Sequence, residues 1–340
     1  MKKKLLFIPI ILAMGCTNTK YEKVLFDKEE VLLSNEVNYI PPSCYSEIKL
    51  LDSVLILIDQ CNNNFIHLYS IAEEEKITQA GTKGRGPNEM IGPLFYKPSI
   101  SANKTTKQEV YLYDVNLQKD YALNLKGDSV GFITGTQMGT DINQRGWQLT
   151  RLKNNVIGID LIETCMYFNY NKNTNDKSNI AYPDVYNDYL KHDQEIILDK
   201  DICVNEEKKK IVIGMHYFNH LYFYDMQGNI LKSYAINKGQ DPKIEENQVV
   251  SMSNYFYTFD IYGTTKNIYI LWYGEKLINI EENDTQGINL LVFDWDMNFI
   301  KNYQLDKEIY DFAVDEKNRK LYGLTWNDQD EGLLVSYLLN

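Results

Sequence analysis

The sequence is short of positive charge, of long apolar runs and of helical periodicity, and each shortage removes a class of function. Its 340 residues carry 35 Lys and Arg against 47 Asp and Glu, a net charge of −12. A surface built to hold phosphates is thereby excluded as its main business, and nucleic acid with it. The apolar run Leu5 to Ala13 is too short to cross a bilayer. Beyond residue 30, no spacing of apolar residues at 3.6 persists for more than two turns, so a helical bundle is excluded. Histidine is scarce, with four in the chain. His216 and His220 stand four apart, but they lie between Ile211-Val212-Ile213 and Leu221-Tyr222-Phe223-Tyr224. In such a strand-and-turn context four residues span about 13 Å, and no Glu follows the first His, so no metal site is expected. A Walker loop, a Gly-x-Ser-x-Gly elbow and a calcium loop of alternating Asp and Asn are all missing. Binding is expected in preference to catalysis, with no cofactor.

The N-terminus carries an address. Lys2, Lys3 and Lys4 precede the apolar run, and small residues lead to Cys16, which makes residues 1–15 a signal peptide. Leu12-Ala13-Met14-Gly15-Cys16 resembles the lipobox of bacterial lipoproteins, with Ala13 where Leu is usual. That resemblance implies acylation of Cys16, a tether over residues 16–20 and the membrane as a partner through lipid chains. Losing residues 1–15 removes three lysines and no acid, taking the net charge from −12 to −15, so lipid rather than protein charge must do the anchoring. Thr17-Asn18-Thr19-Lys20 lacks the acids of the surface-export signal in gut Bacteroidota. The periplasmic face of the outer membrane is therefore the expected location.

Export permits disulfides. Ile48-Lys49-Leu50-Leu51 and Val54-Leu55-Ile56-Leu57 read as a hairpin around Asp52-Ser53. Extending its register outward sets Cys44 opposite Cys61 at a non-hydrogen-bonded site, where Cα atoms are closest. These two are the expected bridge, and two buried free thiols are the alternative.

What the chain has in quantity is aromatic, β-forming sequence: 26 Tyr, 13 Phe and 4 Trp, residues suited to half-buried sheet. Strand runs begin near Ser53, Glu109, Asn155, Lys210, Lys266 and Arg319, at steps of 56, 46, 55, 56 and 53 residues. Such regularity predicts a repeat array. Tyr224-Asp225-Met226-Gln227-Gly228-Asn229-Ile230-Leu231-Lys232-Ser233-Tyr234 lies over residues 293–303 without a gap, and 113–121 is a shorter version. Each reads as strand, Asp-led turn, strand, so these Asp residues are expected at hairpin corners. The predicted fold is all-β: a six-bladed propeller of four-stranded antiparallel blades over residues 21–340. An N-terminal strand within residues 21–33 is expected to complete the last blade and latch the ring. Two β-sandwiches linked across Asn171 to Asn179 are the runner-up.

Ala80-Gly81-Thr82-Lys83-Gly84-Arg85-Gly86-Pro87-Asn88-Glu89-Met90 follows the strand Lys76-Ile77-Thr78-Gln79. It resembles the Gly-x-x-Gly-x-Gly-Pro-Gly-Glu signature of the six-bladed, TolB-like propeller lipoproteins of Bacteroidota, with Asn88 in place of one Gly. The resemblance extends over nearly the whole chain and implies a lipid-anchored group that binds a ligand or partner. Lys83, Arg85 and Glu89 are the loop's candidate binding residues; alternatively, Arg85 and Glu89 pair and merely pin the blade crossing. Tyr182, Tyr186 and Tyr189, beside Pro183-Asp184 and Asn187-Asp188, are expected as an exposed aromatic patch able to stack on sugars or anchor a protein. The expected ligand is a glycan fragment or an envelope protein. The alternative is a calcium-assisted hydrolase of the lactonase type, whose acids would converge from different blades without a linear motif.

Overall fold

In the computed structural model, the described residues are 21–26, 30–87, 89–97, 99–100, 108–126, 129–134, 146–161, 164–190, 195–243, 251–281 and 288–340. Cys16 and the expected leader and tether, residues 1–20, lie outside them. The strands form six sheets arranged as consecutive blades. Blade 1 is Tyr45–Leu51, Val54–Asp59, Asn64–Ser70 and Glu75–Thr82; blade 2 is Pro93–Phe95, Gln108–Asp114, Lys119–Lys126 and Ser129–Thr134. Blade 3 is Gly146–Arg151, Asn155–Asp160, Tyr167–Asn171 and Lys177–Ile180. Blade 4 is Lys200–Asn205, Lys210–Met215, His220–Asp225 and Ile230–Ile236; blade 5 is Tyr255–Gly263, Asn267–Lys276, Ile288–Asp294 and Phe299–Leu305. Blade 6 takes Asp311–Asp315, Lys320–Trp326 and Gly332–Leu338 from the C-terminal end.

The six run starts read from the sequence all mark second strands. Their central residues are buried because a neighbouring blade packs on each face, which favours a continuous apolar run over a half-polar alternation. In Val54–Asp59 the pleat sends Leu55 and Leu57 into a cluster with Leu321, Leu324 and Leu334 of blade 6. Ile56 and Ile58 turn the other way, toward Phe95, Leu112 and Tyr121 of blade 2. One strand thus stitches two blade interfaces by its period of two.

The N-terminal segment runs as a belt. β1 (Glu22–Val24) pairs in parallel with the outer strand of blade 4, and β2 (Val31–Leu32) pairs in parallel with that of blade 5. β3 (Asn35–Glu36) then pairs antiparallel with Gly332–Leu338 and becomes the fourth strand of blade 6. The N-terminal strand that completes the last blade therefore sits just beyond residues 21–33, and those residues cover two further outer edges that would otherwise be left open.

Cys44 and Cys61 are joined by a disulfide, with their Cα atoms 5.4 Å apart. Leu51 does pair with Val54, but a bulge shifts the register between Tyr45 and Glu47, and the Gln60 N–H donates to the Cys44 carbonyl. The two cysteines are consequently offset by one residue and still within bridging range. Of the three Asp-led turns, Asp225 and Asp294 are equivalent: each joins the third and fourth strands of its blade, and each carboxylate accepts from an Asn four residues on. Asp114 caps the turn between the second and third strands of blade 2, accepting from Asn116 and Leu117 N–H. It therefore occupies the other face of the ring.

Candidate functional site

The innermost strands of all six blades line one central cavity of about 350 Å³. It lies at the end of the channel where these strands begin, with Ser46 to Lys49, Gln148, Asp201, Asp260 and Asp311 on its wall. Farther down, the chain leaves Pro93–Phe95 and crosses the lumen. The Lys97 N–H donates to the Leu149 carbonyl of blade 3, and Ser99–Ile100 pairs in parallel with Val204–Asn205 of blade 4. A short strand that follows blade 2 is thus added to the innermost strand of blade 4, and we call the cavity the cup.

Charge is concentrated in this cup. The Lys97 ammonium is bonded to the Asp260 carboxylate and lies 3.9 Å from Asp201. Burial works against its charge, but Asp260, Asp201 and Asp311 outweigh that and hold it protonated. Asp201 also accepts from Gln148 and from His216 Nε2 at 2.9 Å, while His216 Nδ1 sits 3.3 Å from Asp199. Burial disfavours the imidazolium, yet hydrogen bonds to Asp199 and Asp201 lift its pKa to about 9. Asp311 accepts from Ile48 N–H at 2.7 Å, and Glu47 accepts from Phe95 N–H at 2.7 Å. Burial lifts Glu47 to about 7 and takes Asp311 well above the usual carboxylate range. Burial and the neighbouring Lys97 charge lower Lys49 to about 8.

Aromatic rings stand at the mouth. Trp147, Phe259 and Tyr310 line the cup, and Tyr310 stacks on the exposed ring of Trp326 at 4.5 Å between centroids. Such a combination of polar wall and aromatic rim is the usual make-up of a small-molecule site.

The residues singled out from the sequence lie elsewhere. Lys83 donates to the Gln60 carbonyl at 2.7 Å and lies over the Phe65 ring, so it belongs to the outer part of blade 1. Glu89 does not pair with Arg85: its carboxylate accepts from Gly86 N–H at 2.6 Å, and its carbonyl accepts from the Tyr121 hydroxyl. Arg85 is exposed, and no carboxylate among the described residues pairs with it. None of the three lines the cup. The tyrosine trio is not a surface patch either. Tyr186 is fully buried, with its hydroxyl on His220 Nδ1 at 2.8 Å and accepting from Tyr222 at 2.9 Å. Tyr182 donates to the Leu198 carbonyl, and Tyr189 sets its edge against Phe218. The short helices at Asp184–Tyr186 and Asn187–Leu190 turn these rings inward, against the blade 4 core. The two histidines diverge: His216 backs the cup wall through Asp201, while His220 is packed among Tyr21, Tyr186 and Tyr222, where burial lowers its pKa to about 4. Among the described residues no group of His, Cys, Asp and Glu is arranged to hold a metal ion.

No linear pattern marks the cup, because its groups come from separate blades. A weak signal exists in four innermost strands: Glu47-Ile48, Asp201-Ile202, Asp260-Ile261 and Asp311-Phe312 each set one acid before an apolar residue.

A family model described as TolB-like 6-blade propeller-like matches residues 26–317. No curated protein matches the chain. Among solved structures, a member of the duf4221 family from Bacteroides vulgatus superposes with a TM-score of 0.59 at 12% identity, covering 92% of this chain and 97% of its own. A Bacteroides fragilis protein, named as a candidate for export, gives 0.56 at 11%, covering 93% and 99%. A streptogramin B lyase gives 0.51 at 11%, covering 91% and 97%. At these identities the likeness is one of fold.

Proposed function

Since the chain belongs to the TolB-like six-bladed propeller family, we propose that it is an exported binding propeller that takes a glycan unit in the central cup. The observation that carries this reading is the cup itself: polar side chains from separate blades on the wall, with Trp147, Phe259 and Tyr310 at the mouth. Aromatic faces stack on the apolar faces of sugar rings, and wall acids accept from hydroxyls. Titrating glycans against intrinsic fluorescence tests it. A binding glycan should quench the wild type and lose most of that quenching in Trp147→Phe; equal quenching in both would overturn the assignment.

The lipobox-like Cys16 and the export-linked name of one structural neighbour support anchoring in the outer membrane with the propeller in the periplasm. Palmitate labelling should disappear in Cys16→Ala, and unchanged labelling would refute the anchor. Calcium-assisted hydrolysis is favoured by one observation, the convergence of Glu47, Asp201, Asp260 and Asp311. It requires a cation to displace Lys97 and His216 from Asp201 and Asp260. Calcium that raises the melting temperature without any sugar would support it, and a melting temperature indifferent to calcium and chelator would set it aside.

A further inference from the structure

Of the cations in and beside the cup, one makes no ion pair. Lys97 is held by Asp260 and Asp201, and His216 by Asp199 and Asp201. The wall carboxylates are likewise supplied from within the protein. Glu47 takes the Phe95 N–H, Asp311 those of Ile48 and Phe312, and Asp260 that of Ile261. Lys49 lines the same cup, two residues from Glu47 on one face of the strand, with its ammonium 6.0 Å from the Phe95 ring centroid. No carboxylate among the described residues forms an ion pair with it. An ammonium has three donors, and Lys49, half-buried, feels Asp311, Glu47 and Asp260 through space without pairing directly with any of them.

We propose that Lys49 is the anion-reading residue of the cup, and that the ligand is a sugar bearing a carboxylate, a uronic acid, which supplies the direct ion-pair partner that Lys49 lacks. This rests on the glycan-binding reading above and narrows it to a substrate class. The groups facing Lys49 set the pH dependence: Glu47 on its own strand, Lys97 from blade 2, Asp260 from blade 5 and Asp311 from blade 6. Lys49 loses its proton near pH 8, and Glu47 gains negative charge near pH 7. Both changes oppose an anion, so uronate affinity should be greatest below about pH 7 and fall through pH 8. Affinity for a neutral sugar should change little over that range.

The test is calorimetric titration of the purified full chain with glucuronate and galacturonate against glucose and galactose, at pH 6 and pH 9. The expected result is at least one uronate binding about tenfold more tightly than its neutral counterpart at pH 6, with that preference lost at pH 9. Lys49→Met should abolish the preference, and Lys49→Arg should retain it. The pH profile of the wild type serves where a variant fails to fold. Neutral sugars binding as well as uronates, or a preference that survives Lys49→Met, would overturn the role of Lys49 but leave the glycan cup standing. Binding by none of the four would overturn both.

Discussion

At the residue scale, His216 is the group whose titration should be felt by the fold. Its pKa of about 9 in the folded chain lies above the ordinary 6.5. Its contribution is therefore full below about pH 6.5 and is lost as pH rises through 9. The difference in urea midpoint between wild type and His216→Gln should shrink between pH 6 and pH 9.5; a constant difference would contradict the ion pairs with Asp199 and Asp201. The glycine loop gives a contrasting pair. Gly84 has φ +154°, and a Cβ there would sit 2.1 Å from Glu89 Oε2. Gly84→Ala should cost about 1–3 kcal/mol. Arg85→Ala, at an exposed position, should stay within about 0.5 kcal/mol, where a pinning pair with Glu89 would have made it costly. Chemical denaturation separates these outcomes. The glycine pattern in the sequence thus pointed to a tight crossing, but it could not tell which partner the Glu89 carboxylate would take. A backbone N–H, Gly86, is an acceptor's partner that no side-chain pattern advertises.

At the element scale, the hairpin of blade 1 and the belt are the informative cases. The Cys44–Cys61 bridge closes a sequence separation of 17 residues, for which chain entropy predicts about 3 kcal/mol. Reductant should lower the melting temperature of the wild type and leave Cys44→Ala/Cys61→Ala unmoved; a wild type indifferent to reductant would deny the bridge its stabilising role. The hairpin was legible because Leu51 and Val54 flank a two-residue turn. The bulge before Glu47 was not, since register shifts are written in backbone geometry rather than in side-chain type. That bulge has a consequence for the site, because Glu47 and Lys49 follow it on the strand that lines the cup. The tyrosine trio failed for a related reason. Its Pro, Asp and Asn neighbours do mark a loop, but short helical turns within that loop bury Tyr186 and half-bury Tyr182 and Tyr189, and composition does not report the direction in which a loop folds.

At the scale of the whole molecule, six second strands in one register announced the ring, and their apolar runs follow from packing on both faces. Closure depends on β3 in blade 6, while β1 and β2 cover the edges of blades 4 and 5. Deleting residues 21–36 should therefore lower stability far more than deleting residues 21–26, as read by thermal unfolding; equal effects would place the latch elsewhere. The cup belongs to this scale alone. Glu47, Lys97, Asp201, Asp260 and Asp311 come from four blades plus the crossing segment of a fifth, and only ring closure brings them together. No linear pattern marks such a set, which is why the fold could be read ahead of the site.

Thermal unfolding of the full chain and of Trp147→Ala across a glycan panel tests glycan binding in the cup. A ligand at 100 times its dissociation constant adds about 2.7 kcal/mol, or roughly 5 °C for a domain of this size. A shift of that order with one glycan class in the wild type, and its loss in Trp147→Ala, is the expected result. A panel without any shift, or a shift of equal size in both proteins, would contradict it.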